Sequence, residues 1–164
     1  YVFWFELSLH ESHEPGGEEE RVAHHTRAVE GRPMRILLAD DHPANRKVIE
    51  IMLAGVNVEL TSVENGQLAV NAFAGEAFDL VLMDMQMPVM DGLAAVSAIR
   101  QLEATERRER TPILMLTANA LAEHVAAGRE AGADGHLAKP ITLTTLLAAV
   151  SGVMDGNLEQ SLAA

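Results

Sequence analysis

The strongest constraint on the fold is a recurring pattern. From Met34 onward, five short apolar runs are each followed by a segment whose apolar residues have helical spacing. The runs are Ile36 to Ala39, Val58 to Val63, Leu80 to Met83, Ile113 to Leu116, and a weaker one at His136 to Ala138. Short strands that are apolar throughout belong to a parallel sheet covered on both faces, because neither side meets water. The intervening segments carry Ala44, Val48, Ile51 and Met52; Leu68, Ala72 and Phe73; Leu93, Val96, Ile99 and Leu102; Leu121 and Val125; and Leu143, Leu146, Leu147 and Val150. Strict alternation of strand and helix predicts an α/β fold. Pro43 suits a first helical turn, Thr142 a helix cap, and Gly55, Gly75 and Gly132 helix ends.

Residues outside this frame read differently. Phe3, Phe5, Leu7 and Leu9 alternate with Val2, Trp4, Glu6 and Ser8, the period of a strand with one dry face, and a lone strand is not a domain. Residues 10–33 lose all periodicity and include Pro15, Gly16, Gly17 and the run Glu18 to Glu20, as a solvated, mobile linker does. The pattern therefore divides into a strand at 1–9, a linker at 10–33, one domain at 34–154 and a tail at 155–164. Glu103 to Arg110 alternates charge and reads as a longer solvated loop or frayed helix end before Pro112, with Arg107, Arg108 and Arg110 compensated by the interleaved Glu106 and Glu109. A first residue of Tyr1, without methionine or leader, reads as a piece of a longer protein.

Charge and composition narrow the function. The 164 residues carry a formal net charge of −12, which argues against nucleic acid and anionic membrane surfaces as partners. No run reaches the roughly 18 apolar residues of a membrane span. With no cysteine, thiolate metal sites and cysteine nucleophiles are excluded.

On the predicted frame, Asp40 and Asp41 follow the first strand, Asp84 ends the third, Thr117 ends the fourth and Lys139 follows the fifth. All fall at carboxyl ends of strands, the edge where open parallel sheets bind ligands. Taken singly they are bland: an acidic pair at a helix start, a strand-end threonine, a surface lysine. Together they place three carboxylates, a hydroxyl and an ammonium at one edge. Crowded carboxylates repel unless a cation sits among them, and magnesium, which takes oxygen ligands, is the natural one. A carboxylate beside magnesium can attack phosphorus while an ammonium neutralises the phosphoryl oxygens, so the pattern reads as phosphoryl transfer to an aspartate.

The segments Ile-Leu-Leu-Ala-Asp-Asp-His, Asp-Leu-Val-Leu-Met-Asp-Met-Gln-Met-Pro-Val-Met-Asp-Gly, Leu-Met-Leu-Thr-Ala and Leu-Ala-Lys-Pro, in this order, resemble the response-regulator receiver domains. The resemblance implies a doubly wound, flavodoxin-like five-stranded parallel sheet in the order 2-1-3-4-5, helices on both faces. It implies that Asp84 accepts a phosphoryl group from phosphohistidine, that Asp41 and Asp84 bind Mg2+ directly with the main-chain oxygen of Gln86, and that Asp40 assists indirectly. Lys139 matches the phosphoryl-contacting lysine, Thr117 the hydroxyl of the switch, and Pro140 a cis proline. Gln86 and Asn119 hold positions that tune the lifetime of the phosphoryl group. His136 stands where the family usually has a switching tyrosine or phenylalanine.

Residues 1–9 resemble the last strand of a histidine-kinase ATP-binding domain, which implies a hybrid sensor kinase as parent. The partners so implied are the kinase core of the same parent and a histidine phosphotransfer domain, with no nucleic acid or direct membrane contact, in the cytoplasm. By itself this piece would only take up a phosphoryl group from a donor and lose it again. A degenerate receiver used as a binding module is the alternative, although it would be expected to have lost Asp84, Asp41 or Lys139. A haloacid-dehalogenase-type phosphatase would need an aspartate where Gln86 stands. A dinucleotide-binding enzyme would need a glycine-rich turn in place of Asp40-Asp41-His42-Pro43.

Overall fold

The computed structural model describes residues 32–118 and 122–157. The expected strand at 1–9, nearly all of the linker, Asn119, Leu121 and most of the tail lie outside the described residues. Within them the elements are β1 (Met34–Ala39), α1 (Pro43–Leu53), β2 (Val58–Val63), α2 (Gly66–Gly75), β3 (Leu80–Asp84), α3 (Gly92–Glu106), β4 (Ile113–Thr117), α4 (Ala122–Ala131), β5 (Gly135–Ala138) and α5 (Leu143–Met154). The five strands form one sheet in the order β2-β1-β3-β4-β5. Every pairing is parallel, with Ile36 opposite Leu80 and Leu82 opposite Leu114.

Both faces of the central strands are dry, as their apolar runs require, whereas the edge strands β2 and β5 are only partly buried. All residues of β3 and β4 are buried. Alternation along the strands sends Ile36, Leu38, Leu82 and Leu114 toward Ile49 and Leu53 of α1 and Leu146 and Val150 of α5. Leu37, Val81, Met83 and Ile113 face Phe73 of α2 and Val96 and Ile99 of α3. Each such large side chain contributes about 1.5–3 kcal/mol by leaving water. Helix starts follow local chemistry: Pro43 opens α1, Asn65 and Asp91 accept from Leu68 and Ala94 main-chain N–H groups, and Thr142 and Thr145 form a reciprocal cap on α5.

Two expectations need correction. The stripe of α1 that faces the sheet is Ile49 and Leu53, whereas Val48 and Ile51 are 47% and 64% exposed. Apolar residues cover more than half the circumference of α1, so spacing alone does not select the buried side. The second concerns Glu103 to Arg110, which forms the solvated end of α3 and compensates its charge only in part from within, through Arg108 and Glu106. Glu103 lies buried on α3, and Arg108 leaves the segment to donate to the carbonyls of Phe73 and Ala74. Arg110 reaches Asp134 at 2.9 Å, and Arg100 binds Glu103, Asp134 and the carbonyls of Thr111 and Gly132 at 2.7–2.9 Å. The alternation of sign is real, but its charges tie the end of α3 to the starts of β4 and β5.

Candidate functional site

Because all strands run the same way, their carboxyl ends share one edge. The chain leaves β1 toward β2 on one side and later returns to place β3 on the other, so a crevice opens between β1 and β3 at that edge. Asp40 follows β1 and Asp84 closes β3, one on each flank of the crevice. Asp41 is exposed beside them, and one carboxylate oxygen from each of Asp40, Asp41 and Asp84 lies within 4.8 Å of the others.

Lys139 follows β5, and its Nζ donates to Asp40 Oδ2 at 2.8 Å and to Asp84 Oδ2 at 2.7 Å. The Lys139–Pro140 peptide is cis, as the resemblance implies. The Lys139 N–H donates to the Thr117 carbonyl at 2.7 Å, which ties the lysine to the end of β4. Thr117 itself is buried. It lines, with His136, Met115, Met85 and His124, a small cavity of about 10 Å³ between β4, β5 and α4. His136 is thus beside Thr117, not at the carboxylates. Gln86 is exposed, and its main-chain N–H bonds the Asp84 carboxylate, which puts its peptide at the crevice.

Two residues absent from the sequence reading hold Asp40 in place. Asn45 Nδ2 donates to Asp40 Oδ1 and Oδ2 at 3.1 and 3.2 Å, and Arg46 donates to the Asp40 carbonyl at 2.7 Å. The His42 N–H adds a bond of 2.9 Å to Oδ1. The available signal was positional, since residues in the first turn of a helix that opens just after Asp40 must fold back over it. Gly92 is also required: a Cβ there would lie 2.0 Å from the Asp84 carbonyl oxygen.

The electrostatics are unbalanced. Three carboxylates share one ammonium, leaving an excess of two negative charges when all are ionised. Burial pushes the Asp84 carboxyl above its usual range, and the charge of Asp40 adds to this, although the bonds from Lys139 and Gln86 oppose it. Burial also disfavours the Lys139 ammonium, but its bonds to Asp40 and Asp84 outweigh that and raise its pKa, so it stays charged. An all-oxygen donor set with an excess of two negative charges fits a hard divalent cation, and magnesium is the natural choice.

A stability prediction follows from the raised Asp84 pKa. In the absence of metal the folded chain holds this proton more tightly than the unfolded chain, so stability falls as pH rises from the ordinary carboxylate range through the raised folded value. Asp84→Asn removes that fall and leaves Lys139 paired with Asp40 alone. In chelator the variant should melt above the native chain at pH 7, and the two should converge in acid below the ordinary carboxylate range. A variant that melts lower at pH 7 would show that the Lys139 bond outweighs burial.

Comparison with known proteins agrees with this geometry. Residues 36–151 match the response regulator receiver domain. The sensor protein GacS of Pseudomonas syringae pv. syringae is 45% identical over 114 residues, which is 70% of this chain but 13% of that protein. This chain therefore spans a small part of that relative. The receiver domain of a Pseudomonas aeruginosa sensor histidine kinase, solved with a magnesium ion in its active-site cleft, superposes with a TM-score of 0.68 at 36% identity, covering 75% of this chain and 98% of that one. The receiver domain of Saccharomyces cerevisiae Ssk1, solved with the histidine phosphotransfer protein Ypd1, gives a TM-score of 0.70 at 24% identity over 76% of this chain and 90% of that one, which speaks to the fold alone. With the acidic crevice, the lysine after β5 and the 2-1-3-4-5 sheet already in place, the match over 36–151 leaves one assignment: the chain belongs to the response regulator receiver domain family.

Proposed function

We propose that this receiver accepts a phosphoryl group on Asp84. A carboxylate oxygen of Asp84 attacks phosphorus, and a P–O bond forms as the P–N bond of phosphohistidine breaks; the electron pair goes to the ring nitrogen, and because the other ring nitrogen of the phosphohistidine is protonated, the histidine leaves as neutral imidazole. The observation that carries this reading is the buried Asp84 carboxylate, bonded at 2.7 Å to Lys139 and clustered with Asp40 and Asp41. Asp41, Asp84 and the main-chain oxygen of Gln86 would hold Mg2+, with Asp40 acting indirectly, and the ion would neutralise charge on the transferring group. Lys139 already touches the acceptor carboxylate and so would meet the incoming phosphoryl oxygens.

Thr117 and His136 line one cavity behind this point, which supports a switch in which the Thr117 hydroxyl shifts toward the phosphoryl group and the surface of α4 and β5 responds. Gln86 at the crevice, and Asn119 by resemblance, would set how readily water reaches the acyl phosphate. The parent on this reading is a hybrid sensor kinase, with its own kinase core as donor, a histidine phosphotransfer domain as the next acceptor, and the cytoplasm as the site of exchange. Borohydride trapping after treatment with Mg2+ and phosphoramidate tests the acceptor. Reduction of an aspartyl phosphate should convert residue 84, and no other aspartate, to homoserine; conversion elsewhere would overturn the assignment.

A further inference from the structure

An open groove of about 370 Å³ lies at the carboxyl end of α3, on the sheet edge opposite Asp84. Arg100, Arg107, Arg108 and Arg110 line it, against the single carboxylate of Glu103. Three of these guanidinium groups are committed: Arg100 to Glu103 and Asp134, Arg110 to Asp134, and Arg108 to Glu106 and the carbonyls of Phe73 and Ala74. Arg107 differs. It caps α3 with a left-handed φ of 54° and is exposed, and its guanidinium has no hydrogen-bond or ion-pair partner among the described residues. Glu109, exposed on the same segment, is outside the lining. In a chain of formal net charge −12, a groove walled mainly by arginine calls for an acidic occupant.

The chain itself supplies one. Glu18, Glu19 and Glu20 form its longest uninterrupted acidic run, and the described residues begin at Arg32, which is held at this same edge. The Arg32 guanidinium grips the Asp79 carboxylate, just before β3, with bonds of 2.7 and 2.9 Å. From that clamp the path to the groove is short: Phe78, next to Asp79, stacks on Phe73 at 6.4 Å, and the Arg108 guanidinium lies 5.8 Å from the centre of the Phe73 ring. Arg32 follows Glu20 by 12 residues, a tether that spans up to about 40 Å when extended. Such a tether holds the run near the groove at an effective concentration of roughly millimolar, so ion pairs worth less than about 1 kcal/mol each suffice to seat it. We propose that Glu18–Glu20 docks in the arginine groove, with Arg107 as its principal partner. The docked run would fix the direction in which the chain before Arg32 leaves the domain, along the edge opposite Asp84, and it would do so whether or not Asp84 accepts a phosphoryl group.

Because the chain has no cysteine, an engineered pair reports the docking in the full chain. Glu19→Cys is combined with Ala104→Cys, at an exposed position of the groove, or with Gly55→Cys, at an exposed position of the same sheet edge where an added Cβ meets nothing. Gly55 lies two residues before Asn57, whose carbonyl accepts from the Met34 N–H, so this control sits close to where the chain enters the domain. Disulfide formation in a glutathione buffer gives the effective concentration of each pair. At low ionic strength the pair with Ala104→Cys should exceed the pair with Gly55→Cys about tenfold or more. In about 1 M NaCl, where charges act over only about 3 Å, the two should agree within about twofold. Arg107→Asn, which suits the left-handed backbone and removes the charge, should lower the groove pair about threefold and leave the control pair unchanged. Equal values at low salt would overturn the proposal, as would a preference for the groove that neither salt nor Arg107→Asn reduces. Disulfides between two chains in place of one would seat the acidic run of a second copy in the groove and likewise overturn it.

Discussion

Gly92→Ala is expected to destabilise the chain by about 3 kcal/mol and to impair phosphorylation of whatever remains folded. The added Cβ would lie 2.0 Å from the Asp84 carbonyl oxygen, 2.9 Å from its carbonyl carbon and 3.1 Å from Met115 Cε. The first two are backbone atoms, so no rotamer change relieves the overlap. Either the start of α3 retreats or the end of β3 does. Retreat of α3 breaks the Gly92 N–H bond to the Met85 carbonyl, 3.0 Å long, and retreat of β3 displaces Asp84 itself. Gly75→Ala is the control, since nothing lies within 4 Å of its Cβ position, and that change should be neutral or stabilise by up to about 1 kcal/mol. Urea unfolding of the two variants reads both quantities. A Gly92→Ala chain as stable as native would mean that the contact between α3 and β3 is looser than described.

The second large effect lies at the opposite edge of the sheet. Arg100→Ala should cost about 3 kcal/mol, because it leaves the buried Glu103 carboxylate without a cation and Asp134 with Arg110 alone. The Arg100 side chain is 12% exposed, those of Glu103 and Asp134 are 6% and 24% exposed, and both acids are within 2.7 Å of it. The same guanidinium satisfies the Thr111 and Gly132 carbonyls, so its loss also loosens the starts of β4 and β5. The paired variant Arg100→Met with Glu103→Leu should recover part of the loss, because it removes the buried carboxylate left without its cation, while Asp134 keeps its bond from the Ile113 N–H; the freed Thr111 N–H, which Glu103 accepts from at 2.7 Å, keeps the recovery incomplete. Arg107→Ala, on an exposed residue of the same segment, should change stability by less than about 0.5 kcal/mol. Equal midpoints for Arg100→Ala and Arg107→Ala would show that the network contributes nothing.

These two sites differ in how visible they were in the sequence. The strands were legible because a doubly covered parallel sheet leaves continuous apolar runs, and all five were placed to within two residues at either end. The acidic edge was legible for a related reason: parallel strands put the residues after each run together, so Asp40, Asp84, Thr117 and Lys139 share one edge without any knowledge of side-chain packing. What failed was rotation and reach. The buried stripe of α1 was misplaced because Val48 and Ile51 are as apolar as Ile49 and Leu53, and only the neighbouring sheet decides between them. Arg108 and Arg110 were read as locally paired because their nearest opposite charges in sequence are Glu106 and Glu109. Arg108 does pair with Glu106 and also crosses to the end of α2. Long flexible side chains find partners in space that no spacing rule encodes. The left-handed backbone of Val89, φ 69°, was equally hidden, since Pro-Val-Met carries no glycine or asparagine to announce it.

Intact mass after incubation with Mg2+ and a small phosphodonor tests the central claim most directly, with the native chain, the same chain in chelator, and Asp84→Asn measured side by side. One phosphoryl adduct is expected on the native chain, and none when either Mg2+ or the Asp84 carboxylate is removed. An unmodified native chain, together with no Mg2+ binding by titration, would contradict it and leave the acidic crevice as the scaffold of a binding module.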